Sequence, residues 1–523
     1  MPQWVDAGPL ADIEKKHRKL FKAGRKQVLV IAHEGQVFAI NNRCPHEGYP
    51  LSEGTLGAGC TLTCNWHNWK FNLESGETLV GGDRLRRYSI DVREGHVFVD
   101  VADAPAAERQ LLALENLGEA VVDNDYDRMA REVARFIKAG GDELEPLRRT
   151  IASCADLLEF GMTHAFAAAA DWVDLHAQGR TDGEKLVALV EPIAHIAWDT
   201  LREDKYPYCE VVEPWDFARF VNAIKQENER EALAQLNGAL AMHNFPLNEL
   251  RHALATSALA HYQDFGHSVI YTVKSFELIE KLGPGVAAPV LRSLVRSIIY
   301  ASREDKIPEF RHYAVALKNW GTKPLVKFQA NDLVGQSVAA TLDRIVALEG
   351  SSEDKYRLLL ESSATAMLRF DMSVDLQADK PVSHNVRWLD YTHMLTFGNG
   401  VRRLCSAHPE LWPQALLQMG CFLGRNSPFL LSTSDRSFDV ADRNGFLERE
   451  SRALYDHGIR EPIYACHRVK VLAAVRAETG WAGDSALTRS VLAATNRYLN
   501  NSIKYHHALR FAQQSLSFVD AEG

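Results

Sequence analysis

Two short segments near the N-terminus constrain this chain more than any other feature. "CPHEGYPLSEG" places Cys44 two residues before His46, and "CNWHNWKFNLESGE" places Cys64 three residues before His67. Two thiols and two imidazoles predict a metal site, for which a tetrahedral zinc ion and a [2Fe-2S] cluster are the alternatives. Because each loop carries one thiol and one imidazole, the pattern favours the cluster, with both cysteines on one iron and both histidines on the other.

The sequence around these loops predicts β structure. "QVLVIAHEGQVFAINN" has two runs rich in Val, Ile and Phe around a Glu34-Gly35 turn, and "YSIDVREGHVFVDV" repeats this pattern around Glu94-Gly95. Such pairs of short apolar runs about a glycine-containing turn are typical of β-hairpins. We therefore expect a small all-β domain over residues 1–102.

The rest of the chain has a different periodicity. A chain of 523 residues is too long for a single compact core. Residues 103–123, which include "ADAPAAE", are expected to form a linker, and from residue 124 to residue 523 apolar residues recur at helical spacing. The predicted fold is multidomain, with the all-β domain followed by a large all-α domain.

Composition excludes several classes of partner. The formal net charge of -9 argues against a nucleic-acid partner, and no apolar run is long enough to span a membrane. The N-terminus lacks the apolar run of a signal peptide, and the eight cysteines are scattered as in proteins of a reducing compartment. We expect a cytoplasmic, soluble protein, and the sequence leaves homo-oligomerisation open.

The two Cys/His segments resemble the cluster-binding loops of Rieske proteins, and the resemblance covers about the first hundred residues. It implies a [2Fe-2S] cluster in which Cys44 and Cys64 bind one iron and His46 and His67 bind the other. The resemblance therefore favours the cluster over the zinc ion.

Departures from the Rieske pattern indicate the subtype. Membrane-complex Rieske proteins brace the two loops with a disulfide, and the matching positions here are Tyr49 and Trp66. The resemblance therefore points to the soluble ferredoxin and oxygenase type.

Asn65 stands where proline is common, and Asn68 stands where glycine is common. Because asparagine tolerates a positive φ, we expect the loop geometry to survive at Asn68.

A histidine recurs in the helical region. The near-copies "LREDKYPYCE" and "SREDKIPEFR" each follow a helix that carries one histidine, "LEFGMTHAFAAAADWV" with His164 and "YQDFGHSVIYTVKSF" with His267. The same pattern, one histidine in an apolar helix, recurs in "WLDYTHMLTFGNGVRRL" with His393 and in "EPIYACHRVKVLAAVRA" with His467. A single histidine on an apolar face is usually a core residue. Four in equivalent repeat positions predict that the imidazoles converge on iron, copper or zinc.

Several side chains could complete this second site. His261 is the substitute if one of the four histidines is misassigned. Asp264 and Asp390 each precede a histidine by three residues, so they could chelate the metal or orient the imidazole. Lys470 follows His467 by three residues, and carbamylated by carbon dioxide it would become an anionic oxygen ligand. The predicted metal ligands are His164, His267, His393, His467 and Lys470.

The helical region is also similar to the questin oxidase-like family. The likeness rests on "FGHSVIYTVKSFELIEKLG", "DYTHMLTFGNGVRRL" and "CHRVKVLAAVRAE", and it covers roughly residues 150–510. It implies a non-haem iron oxygenase of the kind that acts in aromatic polyketide pathways. A fused Rieske domain lies outside the usual pattern of that family.

Together the two halves predict an oxidoreductase. We expect a Rieske-dependent non-haem iron oxygenase that uses dioxygen to hydroxylate, or to cleave at a C–C bond, an apolar cyclic small molecule. No G-x-G-x-x-G follows a strand, and no flavin signature is present, so a separate NAD(P)H-dependent reductase is the expected electron donor.

Two alternatives remain open. One is a Rieske-type redox sensor or electron-transfer protein with a helical binding module. The other is a carboxylate-bridged di-iron oxygenase built on the Asp264/His267 and Asp390/His393 pairs. Bundle di-iron sites use two Glu-x-x-His motifs and two further glutamates. The chain offers one such motif, Glu249 with His252, so this alternative is short of ligands.

Overall fold

The computed structural model describes residues 2–242, 247–260 and 264–522 of the chain. The chain divides into two compact units, Met1–Pro146 and Leu147–Gly523. The first unit contains ten strands and three helices, α1 Leu10–Lys16, α2 Ala106–Val122 and α3 Tyr126–Lys138. The strands are β1 Trp4–Pro9, β2 Arg18–Ala23, β3 Lys26–His33, β4 Gln36–Asn41, β5 Thr55–Gly57, β6 Thr61–Thr63, β7 Lys70–Asn72, β8 Thr78–Val80, β9 Arg87–Arg93 and β10 His96–Asp100.

The strands form two antiparallel sheets, one of six strands in the order β1-β10-β9-β4-β3-β2 and one of four in the order β5-β6-β7-β8. Both predicted hairpins are present, β3 with β4 and β9 with β10. In each turn the glutamate and the glycine both have positive φ, 50° and 74° at Glu34-Gly35 and 48° and 77° at Glu94-Gly95. Two successive residues of positive φ give the turn a twist that matches the strands.

The smaller sheet positions the two Cys/His loops. One loop lies between β4 and β5, and the other lies between β6 and β7. Cys44 and Cys64 are buried in one apolar core together with Leu62, Phe71 and Leu73. The cysteine ends of both loops are therefore held by the core, while the rest of each loop lies at the surface.

The stretch expected to be a linker contains helix α2. Pro105 precedes the first helical residue, and the Ala- and Glu-rich sequence that follows has high helix propensity. Leu117 and Val121 are buried, and α2 packs on α3. The first compact unit therefore continues to Pro146, and residue 102 stays our proposal for the end of the β domain itself.

The second unit is helical, as predicted for the fold class. Between residues 101 and 522 the described segments show helices and turns, and β pairing there is limited to two isolated bridges. The helices are α4 Glu145–Cys154, α5 His164–Gln178, α6 Asp182–Asp199, α7 Phe217–Lys225, α8 Glu229–Ala241, α9 Leu247–Leu259, α10 His267–Leu282, α11 Ala287–Ile299, α12 Tyr313–Lys318, α13 Ala330–Leu333, α14 Val338–Ala347, α15 Ser352–Arg369, α16 Ser373–Leu376, α17 Trp388–Ala407, α18 Trp412–Asn426, α19 Arg443–Ala453, α20 Pro462–Ala482, α21 Ala486–Asn500 and α22 Ala508–Ala521.

Four helical hairpins organise this unit. Helices α5, α10, α17 and α20 each pack on the helix that follows a short connection, respectively α6, α11, α18 and α21. The four first helices also contact one another in a closed ring, α5 with α10, α10 with α17, α17 with α20 and α20 with α5. The result is a four-helix bundle surrounded by its own partner helices, and every helix of the ring carries one of the four predicted histidines. Among the described residues no helix combines the length and the apolar character needed to cross a bilayer.

Candidate metal centres

The loop of Cys44 is closed by two backbone hydrogen bonds. The Gly48 N–H donates to the Cys44 carbonyl at 2.8 Å, and the Cys44 N–H donates to the Tyr49 carbonyl at 2.9 Å. Gly48 has a φ of 78°, which favours glycine. The loop therefore folds back on its own cysteine.

The loop of Cys64 repeats this geometry. The Asn68 N–H donates to the Cys64 carbonyl at 3.0 Å, and the Cys64 N–H donates to the Trp69 carbonyl at 2.7 Å. Asn68 has a φ of 61°, so the asparagine adopts the left-handed conformation that we expected of it. The two loops are thus equivalent turns that present equivalent cysteines.

The four side chains of these loops converge. Nδ1 of His46 lies 3.1 Å from Nδ1 of His67, which is the spacing of two nitrogens bound to one ion. Cys44 and Cys64 are both buried, and burial, with the adjoining Cys64, raises the pKa of Cys44 to about 11. Both thiols are free. An iron centre would have to displace the thiol proton at neutral pH, so binding is coupled to proton release. The donor set fits a cluster with two thiolates and two imidazoles.

Aromatic stacking takes the place of a disulfide between the loops. The rings of Tyr49 and Trp66 stack with centroids 5.7 Å apart and an interplanar angle of 22°. Asn65 ties the second loop to the sheet, because its amide donates to the Glu53 carbonyl at 2.7 Å and its oxygen accepts from Thr55 at 2.9 Å. The departures from the common Rieske pattern at these positions thus act as braces.

In the helical unit the four predicted histidines lie in one layer of the bundle. His164 and His267 are the first residues of α5 and α10, and His393 and His467 lie in the second turn of α17 and α20. Because all four histidines lie near helix N-termini and converge, the four helices run parallel. His267, His393 and His467 are buried, and His164 is partly exposed.

The Nε2 atoms face one another. Nε2 of His267 lies 3.0 Å from Nε2 of His164, and Nε2 of His467 lies 3.3 Å from Nε2 of His393. Coordinating nitrogens of His164, His393 and His467 all lie within 4.8 Å of one another. Two nitrogens at 2.0–2.1 Å from one ion are about 3.0 Å apart at a right angle and about 3.4 Å apart at the tetrahedral angle. The observed spacings match this range.

Hydrogen bonds select the tautomer that leaves Nε2 free. Nδ1 of His393 lies 2.6 Å from the Leu389 carbonyl, and Nδ1 of His467 lies 2.6 Å from the Ile463 carbonyl. A carbonyl can only accept, so the proton lies on Nδ1 and the Nε2 lone pair points into the layer. Burial is the main cause that holds the pKa of both rings well below the ordinary value. Neutral imidazoles are the form that binds metal.

Sequence reasoning missed Tyr271. His164 begins its helix and so has no carbonyl one turn earlier, and its Nδ1 instead lies 3.1 Å from the Tyr271 hydroxyl. Tyr271 follows His267 by one helical turn, so an i, i+4 search from His267 could have found it. The phenol oxygen can accept the Nδ1 proton of His164, and in that tautomer it takes the place that a backbone carbonyl has at His393 and His467.

A buried pair also flanks the layer. Nε2 of His195 lies 3.7 Å from a carboxylate oxygen of Asp199, which accepts from the Thr163 hydroxyl at 2.6 Å. Burial lowers the pKa of His195 to about 3 and raises the pKa of Asp199 to about 6. The i, i+4 spacing of His195 and Asp199 is the sequence signal that could have identified this pair.

The structure describes the side chains of two of the three proposed sources of an anionic ligand, Asp390 and Lys470. The Asp390 carboxylate accepts from the Arg387 N–H at 2.8 Å and lies 3.9 Å from Arg425, so it caps helix α17. The Asp264 side chain and His261 lie outside the described part of the structure. Lys470 is 1% exposed, and its Nζ has no hydrogen-bond partner among the described residues. Burial lowers its pKa, which favours the neutral amine.

A polar cavity occupies the bundle beyond the histidine layer. It has a volume of about 370 Å³, and all four histidine-bearing helices line it. Lys274 donates to Asp171 at 2.6 Å and to Glu277 at 2.8 Å in its wall, and Arg403 also pairs with Glu277. Asp171 and Lys274 follow His164 and His267 by two helical turns, or about 10 Å along the axis. Charged side chains therefore form part of the cavity wall, about two helical turns from the histidines.

Comparisons with known proteins are confined to the first unit. Residues 3–83 match the family model of the Rieske [2Fe-2S] domain. The chain is 29% identical over 104 residues to the ferredoxin component of the alkene monooxygenase system of Xanthobacter autotrophicus, covering 20% of this chain and 85% of that protein. It is 36% identical over 72 residues to the 3-phenylpropionate/cinnamic acid dioxygenase ferredoxin subunit of Escherichia coli, covering 13% of this chain and 68% of that protein.

A third relative is an oxygenase subunit. The chain is 31% identical over 124 residues to the glycine betaine monooxygenase oxygenase subunit of Pseudomonas aeruginosa, covering 21% of this chain and 29% of that protein. The chain thus spans most of the two ferredoxin relatives and less than a third of the oxygenase subunit. In all three cases the similarity is to components of oxygenase systems.

Proposed function

The chain belongs to the Rieske [2Fe-2S] domain family through residues 3–83, and on this premise we propose that it is a Rieske-dependent non-haem iron oxygenase. Its Rieske unit would be the electron donor, and the histidine layer of its helical unit would be the iron site. When bound, the cluster supplies single electrons and the iron supplies the capacity to activate dioxygen. The observation that supports the proposal is that the four bundle helices bring their histidines together, with Nε2 of His164 3.0 Å from Nε2 of His267 and Nε2 of His393 3.3 Å from Nε2 of His467.

Each ligand that we propose has a defined task. In the Rieske unit Cys44 and Cys64 would hold one iron from the buried side, and His46 and His67 would hold the other at the surface, where a partner protein can approach. In the helical unit the backbone carbonyls behind His393 and His467 keep Nε2 unprotonated, and the Tyr271 phenol would do the same for His164 by accepting the proton of Nδ1. These hydrogen bonds orient the rings before the metal binds, which reduces the entropy cost of binding.

Lys470 is the anionic ligand that we propose. Four neutral imidazoles leave the charge of Fe(II) uncompensated in a buried layer, which is costly without an anion nearby. Asp390 is engaged in capping its helix, whereas Lys470 is buried, has no hydrogen-bond partner in the described structure and follows His467 by three residues on α20. A carbamate on Lys470 would supply the missing negative charge.

The proposed substrate is a small cyclic molecule, hydroxylated or cleaved at a C–C bond with dioxygen. We infer that it reaches the histidines from the N-terminal end of the bundle, where His164 is partly exposed. The cavity further along the bundle has charged residues such as Asp171 and Lys274 in its wall, which suit an apolar substrate poorly. The relatives are components of multicomponent systems, which supports a separate NAD(P)H-dependent reductase as the source of electrons.

Iron analysis with EPR tests this proposal. We expect anaerobically purified protein to contain three irons per chain, two in the cluster and one in the helical unit, and the reduced cluster to give an average g below 2. The redox-sensor alternative requires two irons per chain. Stoichiometric zinc without the EPR signal would contradict the cluster assignment.

Replacement of Lys470 by methionine tests the anionic ligand. Lys470→Met should lower iron occupancy of the helical unit by about tenfold or more, because methionine fills similar space but cannot carry a carbamate. The cluster EPR signal should remain unchanged. Lys355 is a matched control, since it is also a buried lysine and packs over the Trp320 ring in the same unit. If Lys470→Met and Lys355→Met both retain full iron content, Lys470 is not a ligand.

A further inference from the structure

One of the two predicted cluster histidines is held far more firmly than the other. The His46 ring lies flat on the indole of Trp69, with centroids 4.5 Å apart and an interplanar angle of 10°. His67 meets His46 edge-on, at 74°, and Trp66 edge-on, at 88°. His67 therefore lacks the flat stacking contact that His46 has among the described aromatic rings.

The indole of Trp69 also packs closely on a glycine. Lys70 pairs with Val80 across β7 and β8, which places Trp69 and Gly81 at the next positions in register. A Cβ added at Gly81 would lie 2.4 Å from the indole Cδ2, and the φ of 127° at this residue also favours glycine. The indole thus packs on both the imidazole and the backbone of Gly81.

The turn that follows Gly81 is itself anchored. The Asp83 side chain is fully buried, and its carboxylate accepts from Arg131 Nε at 2.6 Å and lies 3.4 Å from both Arg128 and Arg135. All three arginines belong to α3, within the same compact unit as the sheet. Because a carboxylate held by three guanidinium groups resists displacement, the turn cannot easily withdraw from the indole.

We propose that Trp69 is a positioning residue that fixes the ring plane of His46 and lowers the reduction potential of the cluster. The inference rests on the cluster assignment above. A cluster with two thiolates and two neutral imidazoles gains one negative charge on reduction. The electron-rich face of the indole and its exclusion of water from His46 both disfavour that added charge. Trp69 therefore favours the oxidised state and makes the two histidine ligands inequivalent.

Potentiometry on the full-length protein tests this role with two variants. Trp69→Ala removes the ring, and we expect the reduction equilibrium to shift about tenfold toward the reduced form, which is 59 mV for one electron. The EPR g values should change as well, because the imidazole is free to rotate. Trp69→Phe restores an aromatic face and should return both quantities close to those of the unmodified protein.

A glycine variant moves the indole without removing it. Gly81→Ala should raise the potential in the same direction as Trp69→Ala, because the added Cβ displaces the ring. Gly57→Ala is the matched control in the same sheet, since a Cβ there meets no atom closer than 3.9 Å. A Trp69→Ala protein with full cluster content and an unchanged potential would overturn the proposal.

Cluster content separates the remaining outcomes. If both Trp69 variants lose the cluster, Trp69 is a folding residue and the positioning role is refuted. If only Trp69→Ala loses it, the aromatic face is needed to hold His46 and the proposal stands. An unmodified protein without a cluster would instead refute the cluster assignment.

Discussion

His67→Ala is expected to abolish the visible absorbance and the EPR signal of the Rieske cluster and to stop turnover completely. The variant loses one of the two imidazoles that we propose as ligands of the outer iron, and His67 lies at the surface beside His46. The helical unit has its own core, so its proposed iron should be retained. Iron analysis should therefore fall from three irons per chain to one.

Whether the cluster is the electron donor is tested by measuring the substrate-dependent oxygen consumption of this variant with NAD(P)H and a reductase. His96→Ala is the matched control, because His96 lies in the same unit and pairs with Asp6 away from the loops. A cluster-free His67→Ala protein that turned over at the unmodified rate would show that the Rieske unit is not the electron donor. The redox-sensor alternative would then take precedence.

His393→Ala should produce the reverse phenotype, with a reducible cluster and no substrate-dependent oxygen consumption. Structural metal sites of four ligands contribute about 10–16 kcal/mol, so the loss of one ligand costs roughly 3 kcal/mol, or a hundredfold in affinity. The helical iron should be lost on dialysis, whereas the cluster iron should remain. Metal titration of the dialysed protein measures the affinity directly.

A second buried histidine controls for the effect of the substitution on folding. His176 lies at the far end of α5, where Nδ1 is 3.0 Å from the Lys185 carbonyl, and it takes no part in the histidine layer. His176→Ala should keep the helical iron even if it lowers the free energy of unfolding by about 1–3 kcal/mol. Equal iron contents in His393→Ala and in the unmodified protein would contradict the proposed ligand set.

Features encoded in short segments could be predicted from the sequence. The hairpins at Glu34-Gly35 and Glu94-Gly95 depend on two residues of positive φ, and the cluster loops depend on a cysteine, a turn and a histidine within six residues. The Rieske domain and the order of a β domain before a helical domain are confirmed for the same reason. Local backbone preference and hydrophobic period are properties of neighbouring residues, so the sequence displays them directly.

The linker prediction shows that local sequence alone does not distinguish a linker from the start of a helix. "ADAPAAE" contains turn residues, yet Pro105 is the residue before the first turn of α2, and the helix is stabilised by burial of Leu117 and Val121. Proline is common both in linkers and at the start of helices. Only the packing of α2 on α3 decides between the two.

Residue type and spacing along the chain predict the candidate metal ligands, namely two thiols and two imidazoles in the first unit and one histidine on each of four repeated helices. The contacts between the nitrogens appear only in the folded chain, because His164 and His267 are 103 residues apart and His393 and His467 are 74 apart. The contacts of Tyr271 with His164 and of Trp69 with His46 likewise cross from one helix or loop to another. Such contacts depend on how the bundle and the sheets pack, and no pattern of near neighbours along the chain contains that information.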